Sequence, residues 1–437
     1  MKIPTKHNHT KMGSPPSWMR FIEVSLVVFL AGLPVTASAV DVTGTSRTYL
    51  TSREQADGTR LLPGYEYLNF QIQDLGSDTI SAHFGGWAGY DFKEKTGDND
   101  LQYGYLSYKS KTANTIINLG RVMVFEGVAA ERVDGVYART DLMANFGISA
   151  FGGNPVETGA PLGDVAASSG NNSIYGARLT HQTPGLYAIG VSYLKEERNG
   201  EDFRKEEGVD LWLHPMNKVD LAGRSNYNAI TKEWMENTYN LVLGPFDRLR
   251  FTTEASWINY KDYFFGTTLS AFTFQPGILD PNEKVRILGE NVVYALTNKF
   301  GISADYKAYS YNIAGNAKYY GGNFRYTGAS GGAGLSLHRM DGDADRLKYD
   351  EYRVYGYSKL GKIDVSLDVI DVKYDSAING VSNAYSVSLA AGYDLTDRLK
   401  VGADVEYAKN PDFNRDVRAF LKAIYQFDVG TGARKGV

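Results

Sequence analysis

Cysteine is absent from the sequence, and histidine, proline and long apolar runs are scarce. Without cysteine the chain has no disulfide scaffold, thiolate metal site or cysteine nucleophile. It also has no Cys-x-x-Cys-His motif for covalent haem attachment, and only four of its six histidines lie beyond residue 39, none of them spaced as a zinc pair. We therefore expect no cofactor of the protein's own, and a fold that depends on strand or helix pairing rather than on cross-links.

One apolar run stands out, close to the start of the chain. Four basic residues precede the apolar residues 21–33, and Ala37 and Ala39 then form a small-residue cleavage pattern. We interpret residues 1–39 as a cleavable secretory signal and residues 40–437 as one mature domain. An uncleaved anchor is the alternative, but the run is short and contains Glu23. No later stretch has the roughly 18 to 20 apolar residues of a spanning helix, so any further membrane crossing would use strands.

The charge balance argues against a nucleic-acid partner. Residues 1–39 hold four of the 46 basic residues and one of the 50 acidic ones, which leaves 42 basic and 49 acidic residues and a net charge of −7. The 31 tyrosines are of a type favoured both in strands and at membrane interfaces.

Alternation of apolar and polar residues is the strongest positive signal. Between residues 398 and 408, Leu399, Val401 and Val405 alternate with Lys400 and Asp404. In a strand the two sets point to opposite faces. A sandwich would bury the apolar set, whereas a membrane barrel turns it to lipid and lines its interior with the polar set.

Turn signals separate these alternating segments along the whole chain. Short turns are predicted at 76–78, 112–114, 184–185, 217–218, 245–247, 297–298, 361–362 and 396–397, with weaker ones near 141 and 329. Longer polar connections lie between them, at 93–100, 156–171, 199–204, 261–282, 341–346 and 376–382. This order predicts an all-β, antiparallel, up-and-down transmembrane barrel of about 22 strands, within a range of about 16 to 22, with short periplasmic turns and longer outer loops.

Charged residues opposite the apolar rows are the candidates for the interior lining. They are Arg178, Arg248, Arg250, Asp305, Lys307, Arg398, Lys400, Asp404, Arg418 and Lys422. They would give a mixed internal field, and most are expected to pair with neighbours across strands.

Three segments carry further expectations. The phenylalanine-rich segment 261–282 would either fold inward to narrow a pore or pack on the rim. Between Ile363 and Tyr374 the apolar phase changes, which predicts a bulge. Asp341, Asp343 and Asp345 begin like a calcium loop, but Arg346 replaces the turn glycine, which favours a solvated loop.

The ending Ala423-Ile424-Tyr425-Gln426-Phe427, the signal and the tyrosine-rich strands resemble Gram-negative outer-membrane porin-like barrels. The resemblance implies a bacterial outer-membrane location, contact with lipid and lipopolysaccharide, and insertion by the barrel assembly machinery. The aromatic residue usually ends the chain in that family, whereas residues 428–437 follow it here. The segment from Leu119 to Tyr137 also resembles barrels of metal-respiring bacteria, some of which house multihaem c-type cytochromes.

These observations favour a passive porin-like channel with no bond chemistry. The main alternative is a sleeve around a multihaem cytochrome, with electrons crossing through the partner's haem groups. A barrel that serves only as an anchor or adhesin is a third class. A barrel-borne lipase is a further class. The Gly-x-Ser-x-Gly match at residues 328–332 lies at the predicted turn near 329, among strand signals, and not between a strand and a helix as a nucleophile elbow requires.

Overall fold

The computed structural model describes residues 41–54, 58–156, 171–263, 280, 282–412 and 415–430. The predicted signal, with Ala37 and Ala39, lies outside these residues, and so do the four phenylalanines of segment 261–282. No helix in the described part is long and apolar enough to cross a membrane.

Strands make up most of the described chain. They are β1 (Asp41–Glu54), β2 (Arg60–Leu61), β3 (Pro63–Gln73), β4 (Ile80–Asp91), β5 (Thr96–Lys109), β6 (Ile116–Glu126), β7 (Ala129–Asp141), β8 (Phe146–Pro155), β9 (Asn172–Thr183), β10 (Tyr187–Arg198), β11 (Glu201–Met216), β12 (Val219–Asn228), β13 (Glu233–Phe246), β14 (Leu249–Asn259), β15 (Lys284–Ala295), β16 (Phe300–Tyr311), β17 (Asn316–Thr327), β18 (Gly331–Gly342), β19 (Tyr349–Leu360), β20 (Ile363–Ile378), β21 (Val381–Asp394), β22 (Leu399–Lys409) and β23 (Asp416–Gly430). A short helix α1 (Tyr260–Tyr263) and a 3-10 helix (Asp345–Leu347) lie in connections.

The sheet closes on itself through its first and last strands. β1 pairs antiparallel with β3 on one side and with β23 on the other, and twelve register pairs join β1 to β23, from Asp41 opposite Gly430 to Ser52 opposite Ala419. The two-residue β2 pairs only with Arg53 and Glu54 at the end of β1. The other 22 strands form one closed antiparallel barrel, which confirms the predicted fold class.

Both ends of the described barrel lie on one rim, here called the periplasmic rim. The ten connections on this rim are two to six residues long, and each lies at one of the ten predicted turns. Short turns are typical of the periplasmic side of such barrels, so the prediction for this rim is confirmed.

The opposite, outer rim differs in detail from the prediction. Asn199-Gly200 and Asn379-Gly380 are two-residue turns in which both residues have positive φ, between 50° and 83°. Asparagine followed by glycine accepts this conformation most readily. The expected loops at 199–204 and 376–382 are therefore mostly strand, because β11 and β20 extend to 16 residues each.

The two faces of the wall follow the predicted alternation in β22. Val405 is 49% exposed on the outer surface, while Lys422 reaches across the inner surface to Asp404 at 3.0 Å.

The expected bulge between Ile363 and Tyr374 is wrong, because the β20–β21 register is unbroken as far as Lys373. Asp371 and Lys373 therefore share the outer face with Leu367 and Val369.

Some carboxylates lie on the largely apolar outer surface, and Glu66 and Glu290 accept hydrogen bonds there. Thr48 donates a hydrogen bond to Glu66 at 2.5 Å, and Thr253 donates one to Glu290 at 2.9 Å. A neighbouring hydroxyl therefore satisfies part of the hydrogen-bonding capacity of each carboxyl group.

We predict that Val405→Arg lowers the fraction of assembled barrel. An arginine on the lipid face near the midplane costs about 2–4 kcal/mol. The matched control is Lys400→Ala, because Asp364 keeps Lys359 at 3.5 Å when Lys400 is removed. Heat-modifiable gel mobility of membrane fractions measures assembly, and equal assembly of the two variants would contradict the assigned faces.

Candidate functional site in the barrel interior

One strand pair leaves the wall and enters the interior. β6 pairs with β5 only from Ile116 to Arg121, and the pairing of β7 with β8 begins at Val133. Between these points β6 and β7 pair only with each other, as far as their Gly127-Val128 turn. Residues 121–134 are called the inner hairpin here.

Glycines permit the bend at the base of the inner hairpin. Gly120 has φ of +131°, and a Cβ there would lie 2.4 Å from the carbonyl oxygen of Gly104. Gly135 is directly opposite Gly120, and a Cβ at Gly135 would lie 2.1 Å from the carbonyl oxygen of Gly152. No larger residue fits where these four strands, β5 to β8, approach this closely.

The inner hairpin packs on the inner wall through an apolar core. Its Val122, Val124, Val128 and Val133 contact Phe151, Ile174 and Leu194 of β8, β9 and β10, and Val133 and Leu194 are fully buried. Each such side chain contributes about 1.5–3 kcal/mol on burial. At the tip, the backbone N–H of Val128 donates to Ser192 Oγ at 3.1 Å.

Two arginines of the wall, the partly buried Arg178 and the buried Arg204, form ion pairs with the hairpin. Arg178 binds Glu126 at 3.3 Å, and Arg204 binds Glu131 at 2.6 Å. Tyr137 also donates to Glu126, at 2.6 Å. Removing one partner of a buried pair leaves an uncompensated charge, which opposes movement of the hairpin away from the wall.

The other face of the hairpin is turned towards the barrel axis. It carries Met123 and Phe125, which are 46% and 69% exposed. Arg121 forms a two-point contact with Asp134, at 2.6 and 2.8 Å, and donates to the carbonyl oxygen of Leu101 at 3.0 Å. Arg132 pairs with Asp100 of β5. These arginines bind the edge of β5 that β6 has left.

Aromatic side chains line the neighbouring wall at the same level. Tyr49 stacks on Phe420 with centroids 5.0 Å apart, and Tyr67 lies 5.6 Å from Tyr49 and 6.4 Å from Trp87. These four rings and Tyr65 are called the aromatic belt. Trp87 is directly opposite Asp100 in the β4–β5 register, and Asp100 binds Arg132. The belt and the inner hairpin therefore share one level of the barrel.

Ion pairs line the remaining interior wall. Lys307 binds Glu254 at 2.7 Å, and Arg353 binds Asp368 at 2.6 Å. Asp305 accepts from the side chain of Asn323 at 2.7 Å. Lysines and aspartates of β19 to β23 line a groove of about 550 Å³. The interior thus has an aromatic arc and an ionic arc.

The predicted lining residues occupy three kinds of position. Those in strand ion pairs or hydrogen bonds are Arg178, Asp305, Lys307, Lys400, Asp404, Arg418 and Lys422. Arg250 lies at the start of β14 and has no ion pair among the described residues. Arg248 and Arg398 lie in turns of the periplasmic rim, and Arg248 donates to the carbonyl oxygen of Leu296 at 2.6 Å.

The inner hairpin and the aromatic belt were not predicted from the sequence. A signal for the hairpin exists, since positions 122–125 read Val-Met-Val-Phe and interrupt the alternation. Consecutive apolar residues indicate a strand with apolar side chains on both faces. The belt has no comparable signal, because its rings come from four strands and each fits an ordinary alternating pattern.

A closed antiparallel wall with an apolar outer face and an ionic inner face defines a transmembrane β-barrel. No protein-family model and no curated protein matches the sequence. Among solved structures, OccAB4 of Acinetobacter baumannii is similar at 11% identity and a TM-score of 0.45, over 91% of this chain and 100% of that one. OccD3 (OpdP) of Pseudomonas aeruginosa shows 12% identity and a TM-score of 0.42, over 89% of this chain and 91% of its own. OprD of Pseudomonas aeruginosa shows 9% identity and a TM-score of 0.42, over 89% of this chain and 94% of its own.

We predict that a disulfide forms between Val128→Cys and Gly208→Cys. A Cβ at Gly208 would lie 2.4 Å from Val128 Cγ1, so the two positions face each other. The absence of native cysteine leaves no competing thiol. Faster migration on a non-reducing gel, reversed by reductant, measures the cross-link.

The matched control for this cross-link is Phe125→Cys with Gly208→Cys. Phe125 is on the axis-facing side of the hairpin and should remain a free thiol. Equal cross-linking of both pairs, or of neither, would contradict the docking of the hairpin on β11.

Proposed function

We propose that the barrel is a passive diffusion channel, narrowed midway by the inner hairpin. The observation that carries the proposal is the contrast between the two surfaces of one closed wall, apolar outside and ionic inside. A polar, water-lined interior removes the desolvation barrier that lipid presents to a hydrophilic solute. Strand-borne ions such as Arg178, Asp305, Lys307, Lys400 and Lys422 belong to the proposed lining.

The position of the inner hairpin supports a narrowed passage rather than a plug. It packs against β8 to β11 on one side of the interior and is anchored there by Arg178 and Arg204. Its free face, with Met123 and Phe125, borders the space that remains. A solute on its way through the barrel would pass between this face and the ionic arc.

We predict that Phe125→Ala raises single-channel conductance in planar lipid bilayers. The side chain projects from the hairpin towards the axis, so its removal widens the narrowest section. Leu389→Ala is the matched control, because Leu389 is similarly exposed, at 57%, but on the outer face of β21. No conductance from the wild-type barrel would contradict the channel, and equal effects of the two variants would contradict the place of the narrowing.

The cytochrome sleeve makes a different prediction. A partner threaded through the barrel would compete with the inner hairpin for interior space, which favours the open channel. We therefore expect no stoichiometric haem Soret band when the tagged barrel is purified gently from outer membranes of cells that make cytochromes. A strong band that survives washing would favour the sleeve.

A further inference from the structure

The space between the free face of the inner hairpin and the opposite wall is called the aperture here. One side of the aperture is apolar, and its residues come from separate parts of the chain. The aromatic belt lies on β23, β1, β3 and β4. Asp100 of β5 is directly opposite Trp87 of the belt and forms an ion pair with Arg132 of the inner hairpin. Met123 and Phe125 continue the apolar lining on the hairpin itself. We propose that this aperture selects solutes that carry an aromatic ring. This inference rests on the proposed channel function.

Exposure of apolar side chains inside the barrel is the first argument. Phe125 is 69% exposed and Met123 is 46% exposed, although both are on an element that is otherwise docked on the wall. Exposed apolar surface rimmed by polar groups marks a contact site for a ligand or partner. A methionine thioether beside phenylalanine favours an aromatic partner in particular.

The arrangement of the belt is the second argument. Tyr49 stacks on Phe420, and other rings of the belt meet edge-on, at 67° for Tyr49 with Tyr67 and 73° for Tyr65 with Trp87. Aromatic pairs prefer edge-to-face or offset geometry at centroid distances of about 4.5–7 Å. Trp87 is buried, at 5% exposed, but Tyr49, Tyr67 and Phe420 are partly exposed, so a solute ring packed on these three would extend the same network.

Charged side chains surround this apolar side of the aperture and keep it in contact with water. Arg47 is directly opposite Tyr67 in the β1–β3 register and is exposed. Ion pairs such as Lys307 with Glu254 line the rest of the aperture. An aromatic solute with polar substituents would place its ring on the belt and its substituents near the charged side chains. An aliphatic solute of equal charge would contact only the charged side chains.

Proteoliposome swelling tests the inference with L-phenylalanine and L-leucine. Both are zwitterions of similar size, and only one carries a ring. Permeation ratios of phenylalanine to leucine are compared for the wild type and for two variants, Phe125→Leu and the double variant Tyr49→Leu with Tyr67→Leu. Loss of one ring contact is expected to lower the ratio about twofold to tenfold. Tyr49→Phe with Tyr67→Phe should restore the wild-type ratio.

Tyr320→Leu is the control for a general effect of removing tyrosine, because Tyr320 is 45% exposed on the outer face of β17. Heat-modifiable mobility checks that each variant is assembled, and Phe125→Leu changes an exposed side chain that does not pack in the core. If leucine enters and the permeation ratio of phenylalanine to leucine is the same in all variants, the inference is overturned and the proposed channel function is retained. Failure of both solutes to enter, with no conductance, would overturn both proposals.

Discussion

Pairing of backbone hydrogen-bonding groups in a medium without water is the constraint on which the rest of this structure depends. Every N–H and C=O of the wall at the level of lipid must find a partner in the sheet. The pairing of β1 with β23 meets this requirement at the seam, over twelve register pairs. Closure in turn brings both described ends of the barrel to one rim and gives every strand one face towards lipid and one towards the interior.

The inner hairpin is compatible with this constraint because two strands leave the wall together. From Val122 opposite Val133 to Glu126 opposite Ala129, β6 and β7 keep the ladder between them. A single strand would leave its edges unpaired on both sides. The edge of β5 that is exposed by their departure includes polar residues, and its Leu101 carbonyl oxygen accepts a hydrogen bond from Arg121. Side-chain donors thus replace part of the missing backbone ladder.

Division of the interior into an aromatic arc and an ionic arc follows from where the hairpin docks. Its anchor residues, Glu126 and Glu131, meet arginines of the wall. On the free face Arg121 and Arg132 are paired with Asp134 and Asp100. The free face therefore presents Met123 and Phe125 to the passage, next to the belt. Transport through such an aperture depends on the shape and surface of a solute as well as on its charge.

The sequence by itself determined the facing of the strands, the ten periplasmic turns and, within the predicted range, the number of strands. These properties depend on residues two positions apart or on a few adjacent turn residues, so local patterns contain them. The same local reading placed longer loops at 199–204 and 376–382, where the structure has two-residue turns, because polar strand residues were taken for the ends of the strands.

Tertiary structure alone decided which element enters the interior and which side chains meet there. Phe420, Tyr49, Tyr67 and Trp87 come together only after β1 pairs with both β3 and β23. Arg204 and Glu131 are 73 residues apart and meet only when the hairpin docks. Contacts of this kind depend on register and closure, which involve the whole chain at once, and no short window of sequence contains that information.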